Sequence, residues 1–220
     1  MHVRKRLAVF TDKYPLVGPV VWMLGIQYFM VQAVVAAAWK APGYSWAHNL
    51  ISDLGNTACG PYSGRYVCSP DHVLMNASFI MLGVTMALGA GLIYQEFRKS
   101  TGSFLGFSLM GYAGIGTLLV GLFPENTIPP MHVLGAIFGL LIGNISLVVL
   151  ALVLKTVRPG LRLYTFLSGM FSIVAFALFS LHIYLGLGAG TMERLVSYPQ
   201  TFWLILFGLY TSHSHRAPKR

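Results

Sequence analysis

Residues 72–94 read HVLMNASFIMLGVTMALGAGLIY, a run without a single Asp, Glu, Lys or Arg. A helix needs about 20 apolar residues to cross the hydrocarbon of a bilayer, so this stretch predicts a membrane span. Similar apolar runs fall at 16–39, 103–123, 132–154, 163–185 and 196–211. Pro42-Gly43, Pro129-Pro130 and Pro159-Gly160 stand between or beside them, and such pairs mark turns. The expected fold is all-α, a polytopic membrane protein built as a six-helix transmembrane bundle. Its least regular span is the sixth, because Pro199 interrupts its start.

Of the 220 residues, 55% are apolar and 10% are charged, where a soluble domain carries about 25% charged residues. This composition excludes a soluble globular domain and a disordered chain. The net charge of +9 raises the question of nucleic acid. The basic residues, however, lie in short clusters between apolar runs and form no continuous basic face, so no nucleic-acid partner is expected. Arg4, Lys5 and Arg6 precede the first span and Ala36-Ala37-Ala38 closes it, which mimics a signal peptide. Its apolar run exceeds the usual ~7–15 residues, and it is read as a retained anchor.

Six spans place both termini on one side. Arg4, Lys5, Arg6, Lys13, Arg98, Lys99, Lys155, Arg158, Arg162, Arg216, Lys219 and Arg220 then share that side, leaving only Lys40, Arg65 and Arg194 on the other. By the positive-inside rule that side is cytoplasmic. The expected organisation is a basic cytoplasmic N-terminus over 1–15, one transmembrane domain over 16–211 and a basic cytoplasmic tail over 212–220. The first outer loop covers 40–71.

That loop contains the only long polar stretch, HNLISDLGNTACGPYSGRYVCSP at 48–70, and both cysteines of the chain, Cys59 and Cys68. In an oxidising extracytoplasmic compartment two such cysteines read as a disulfide, contributing about 2–3 kcal/mol by loop closure. The loop is expected to be pinned over the bundle as a cap.

The order of ISDLG at 51–55, Cys68-Ser69-Pro70 before HVLMNASFIMLG at 72–83, GIGTLLVGLFPEN at 114–126 before His132, and GLGAGTMER at 186–194 resembles the bacterial and archaeal six-span membrane family named domain of unknown function 998 (DUF998). The resemblance runs from about Leu16 to Tyr210. It implies a six-span fold in a prokaryotic plasma membrane and almost no chemistry.

Residues three, four, seven and eleven apart share a helix face. Gly135, Gly139 and Gly143 form one such stripe, and Gly83, Ala87 and Gly91 another. Stripes of small residues are close-packing seams in membranes. His132 extends the first stripe, His72 the second, and His182 lies on a stripe with Ser168, Ser172 and Ala175. Three histidines near the outer ends of three helices suggest a metal site, with zinc the metal that neutral imidazoles and an open water position suit. No HExxH stands behind it, and the competing reading has His72 and His132 bonding loop carbonyls at their helix starts.

Asp53, Glu125, Glu193 and Arg194 converge at the same level and are the candidate catalytic groups. Ser52 beside Asp53 raises a nucleophile without a GxSxG elbow. The plainer reading is a short interfacial helix over about Ser45–Leu54, capped by Ser45, with an Asp53–Arg194 or a Glu193–Arg65 pair tying the loop to the bundle. The function expected is binding of, or action on, a lipid or lipid-linked molecule under the outer cap, with metal-dependent hydrolysis as its sharpest form. The alternative is a non-catalytic transporter, lipid sensor or accessory subunit. A polar path through the midplane would favour the transporter.

Overall fold

The computed structural model describes residues 2–40, 42–97 and 100–216. Of the basic flanks, Arg98, Lys99, Lys219 and Arg220 lie outside the described residues. A short helix α1 (His2–Lys13) precedes α2 (Val17–Met23) and α3 (Ile26–Ala38). These two form one run, bent where Gly25, Gln27 and Tyr28 donate three residues back instead of four, a tightening typical of 3-10 turns. After the loop come α4 (His72–Phe97), α5 (Thr101–Leu122), α6 (Pro129–Ala136), a π turn (Ile137–Ile142), α7 (Gly143–Val153), α8 (Pro159–Ser180) and α9 (Ala189–Arg216).

Among the described residues, five helical runs are long and apolar enough to cross a membrane: Val17–Ala38, His72–Phe97, Thr101–Leu122, Pro129–Val153 and Pro159–Ser180. These make the chain an integral membrane protein. The helix α9, with 28 residues, has the length but not the uniform apolarity. Its first four turns carry Glu193, Arg194, Ser197, Gln200 and Thr201, all buried.

The sequence stripes of small residues do not meet each other: Gly83, Gly135 and Gly139 face α5, and Gly143 faces Gln200 of α9. A Cβ on Gly114 would lie 2.6 Å from the carbonyl oxygen of Gly83, and a Cβ on Gly116 would lie 2.7 Å from that of Gly135. Gly114 and Gly116 are two residues apart and so point to nearly opposite sides of α5. This lets one helix hold α4 on one side and the α6–π segment on the other. Gly91, expected in the same seam as Gly83, has open space around it.

Pro199 does not break α9. Proline cannot donate to the carbonyl four residues back, and Ser172 Oγ of α8 donates to that oxygen, on Leu195, at 3.3 Å. The stripe Ser168, Ser172 and Ala175 is buried, as expected. His182 leaves it, because α8 ends at Ser180 and His182 takes a φ of 58° in the turn beyond.

The loop over one end of the bundle holds a 3-10 turn, Ser52–Gly55, and an antiparallel hairpin of β1 (Gly60–Tyr62) and β2 (Arg65–Val67). Ser63 and Gly64 both take positive φ, the geometry of the two-residue turn that matches strand twist. The disulfide Cys59–Cys68 closes the hairpin. The expected continuous helix over Ser45–Leu54 does not form. Asn49 Oδ1 accepts from Ser45 N, and Asp53 Oδ2 accepts from Leu50 N. Leu50 N is a donor that a helix would send to Trp46 O, and the Asp53 side chain takes it instead.

Candidate functional site

The cap is bonded to the helices at several points. Asn76 Nδ2 of α4 donates to Gly55 O at 2.8 Å and Ser69 Oγ donates to Leu54 O at 2.7 Å. Tyr62 OH donates to Glu125 O at 2.6 Å. Arg194 of α9 donates to the carbonyls of Trp46, Asn49 and Gly190 and to Tyr44 OH, with its guanidinium over the Trp46 ring. These contacts fix the 3-10 turn over the ends of α4, α6 and α9.

Two polar clusters result, one on each side of the Ser52–Asp53 bond. The first is Asp53, Arg65 and Glu125. Asp53 is fully buried and accepts from Asn49 Nδ2, Leu50 N, Arg65 Nε at 2.7 Å and Arg65 Nη2. Three of these donors meet Oδ2 and one meets Oδ1, so a carboxylate with about four acceptor positions keeps one on Oδ1, the oxygen that Arg65 Nη2 bonds. Glu125 accepts from Asn56 Nδ2 at 2.8 Å and lies 3.7 Å from Arg65 Nη2. One arginine therefore serves two buried acids. Burial first, and then repulsion from Asp53, push the Glu125 carboxyl up to about 8.

The second cluster is Ser52, His132 and Glu193. His132 Nδ1 lies 2.9 Å from Phe123 O, and its Nε2 lies 3.0 Å from Ser52 Oγ. Ser52 Oγ is also 3.1 Å from Glu193 Oε1, while Ile51 N donates to Glu193 Oε2. His132 and Glu193 are both buried. The sequence places them there through one helix start each. Pro129 and Pro130 begin α6 and put His132 in its first turn. Gly188, at a φ of 87°, turns the chain into α9 ahead of Glu193. A hydroxyl within hydrogen-bond reach of an imidazole, itself oriented by a third group, is the arrangement of an activated nucleophile.

A cavity of about 50 Å³ lies beneath, with Ser52, Glu193, Tyr28, Ser197, Gln200 and Thr201 in a wall that is otherwise mostly apolar, Phe79, Leu82, Met86 and Leu140 among it. At roughly 10–15 Å³ per water, that is room for a few water molecules or one small polar group. Glu193, Ser197, Gln200 and Thr201 are four, seven and eight residues apart, one face of α9. The polar lining does not continue across the bundle. Below Gln200 stand Trp22, Phe107, Trp203 and Phe207, each no more than 3% exposed. Trp22 and Trp203 have ring centroids 5.3 Å apart, and Trp203 and Phe207 4.7 Å.

The expected acids and Arg194 are brought to one end of the bundle, but paired differently. Arg65, not Arg194, binds Asp53. Glu193 bonds Ser52, not Arg65. Successive helix residues point about 100° apart, so Arg194 turns toward the loop carbonyls while Glu193 turns toward the cavity. The three histidines do not gather. His72 Nδ1 lies 3.0 Å from Ser69 O, His182 is exposed beyond α8, and only His132 bonds a residue of the cavity wall, Ser52. Among the described residues no three His, Cys, Asp or Glu side chains are placed to hold a metal ion, so the expected zinc ligand set of His72, His132 and His182 does not assemble. His48 and Asp71 are exposed. The sequence reading missed the Ser52–His132 pairing and the part of Arg65. Ser52 had been singled out, and its partner 80 residues away leaves no local spacing signal.

Fold and site together define a multi-pass integral membrane protein with a buried polar site under a disulfide-closed cap. The chain belongs to the DUF998 family, described as protein of unknown function, whose model matches residues 23–210. No curated protein and no solved structure matches it.

Proposed function

We propose that this protein is a hydrolase or transferase that moves an acyl group of a lipid or lipid-linked molecule, with Ser52 as nucleophile and His132 as general base. The observation that carries the reading is the 3.0 Å contact between Ser52 Oγ and His132 Nε2 at the wall of a cavity. Because Phe123 O can only accept, Nδ1 is the protonated nitrogen of neutral His132, and Nε2 is free to take the serine proton. Ser52 Oγ attacks the acyl carbonyl carbon as its proton passes to Nε2. The leaving alcohol or amine departs with that proton. Water, or a second alcohol, then attacks the acyl-serine by the same proton route, restoring Ser52.

A lipid substrate follows from the placement of the site at the end of membrane-spanning helices whose outer faces are apolar. We read α9 as a sixth crossing, which puts both termini in the cytoplasm and the cap outside. The paired cysteines in the cap suit an oxidising compartment. The transporter alternative has less behind it, because the polar lining stops at the aromatic layer.

The test is hydrolysis of fluorogenic lipid esters and amides by the full chain in mixed micelles. Release of product should fall at least about a hundredfold in Ser52→Ala and in His132→Gln, in line with the ~10²–10⁴ typical of a lost acid–base group. Equal rates in parent and both variants would remove the proposal.

A further inference from the structure

The hydrogen bonds around Ser52 do not close unless a proton is shared. His132 Nδ1 must donate to Phe123 O. Ser52 Oγ has one proton for two contacts, His132 Nε2 at 3.0 Å and Glu193 Oε1 at 3.1 Å. Two patterns satisfy both. In the first, Glu193 is a carboxylic acid that donates to Ser52, and Ser52 donates to neutral His132. In the second, the imidazolium of His132 donates to Ser52, and Ser52 donates to the Glu193 carboxylate. A neutral His132 with an ionised Glu193 leaves one contact with lone pair against lone pair. Inside a protein such an unmade bond costs about 1–3 kcal/mol.

We infer that Glu193, Ser52 and His132 hold one proton in common, making Glu193 a second base for Ser52, opposite His132. This deepens the acyl-transfer reading and rests on it for its catalytic meaning. The two patterns differ by one proton moved one bond at each end of Ser52 Oγ, and the cluster stays neutral in both. No net charge enters or leaves a buried site, where an unpaired charge is costly. In the second pattern the carboxylate of Glu193 takes the serine proton while His132 Nε2–H faces the departing group. Acid and base are then separate side chains.

The surroundings leave these two ends to each other. Around Glu193 the charged and titratable groups are Arg194, Arg65, Asp53, Tyr28, Tyr44 and Tyr198. Arg194 gives its two Nη atoms to loop carbonyls and Tyr44, its Nε is buried without a hydrogen-bond partner among the described residues, and Arg65 and Asp53 bond each other. Tyr28 bonds Ser197 at 3.1 Å and Tyr198 bonds Gln32 at 2.9 Å. His132 meets backbone carbonyls and Ser52.

The test is a pH titration of the full chain in detergent. The infrared carboxyl band of Glu193, assigned by its loss in Glu193→Gln, is followed beside the nitrogen-15 imidazole signals of His132. Interacting groups titrate as a pair, so band and signals should change at common midpoints. Ser52→Ala, which removes the bridge and little else, should separate those midpoints. His132→Gln should change the proton affinity of Glu193 by about tenfold or more, one pH unit. Separate midpoints in the parent, unmoved by either variant, would overturn the inference. Ester hydrolysis is scored independently: coupled titration without hydrolysis keeps the shared proton and discards the enzyme, and hydrolysis with uncoupled titration does the reverse.

Discussion

Ser52 and Asp53 are neighbours in the chain but belong to buried polar clusters of two kinds. Around Asp53 a cation, a backbone amide and Asn49 make four bonds to one carboxylate. Around Ser52 one hydroxyl stands between Glu193 and His132, beside a cavity, and both contacts close only when one of those neighbours donates. A cluster held by an ion pair and several fixed donors anchors. A cluster whose bonds depend on where a proton sits, with space beside it, is suited to chemistry. The contrast separates holding the cap from what the cap covers, and it can be broken by substitution on either side.

The largest effect on stability is expected on the anchoring side. Asp53→Asn takes from Arg65 its bidentate partner and leaves it only Glu125, 3.7 Å away, and breaking a buried pair costs about 3–5 kcal/mol. Unfolding of the variant in detergent should show that loss, and a change within about 0.5 kcal/mol would mean that Asp53 does not anchor. Replacing Cys59 and Cys68 by Ser comes next, at about 2–3 kcal/mol for so short a loop. Faster hydrogen exchange over residues 60–67 should accompany it, since the hairpin loses its closure.

How much of this was legible follows from the range of the interactions. Five of the six expected spans were readable because lipid demands long apolar runs, and four of those five start and end within about three residues of the observed helices. The disulfide was readable because the only two cysteines of the chain stand nine residues apart in one polar loop. Arg65 as the partner of Asp53 was not, since a two-residue turn at Ser63-Gly64 decides which way the arginine points. The end of α8 before His182 was equally hidden, and with it went the three-histidine site. The pairing of Ser52 with His132 depends on where α6 starts relative to a loop far away in sequence.

The anchoring cluster also carries a pH dependence. Glu125 keeps its proton in the folded protein up to about 8, against an ordinary 4.5. The folded state therefore binds the proton more tightly than the unfolded chain. That contribution is complete below about 4.5 and is lost as the pH rises through about 8. Unfolding midpoints should fall across this window in the parent, and Glu125→Gln should flatten the fall. A parent that gains stability over the same range would contradict the assignment.

Ser52→Ala should have the smallest effect on stability, about 1 kcal/mol for one hydrogen bond, and the largest on chemistry. The most direct measurement is covalent labelling of the detergent-purified chain with an alkyl fluorophosphonate, read by peptide mass spectrometry. The account predicts an adduct on Ser52 that disappears in His132→Gln while the Cys59–Cys68 bridge stays intact. An unlabelled Ser52, with a known serine lipase labelled in the same micelles, would contradict it.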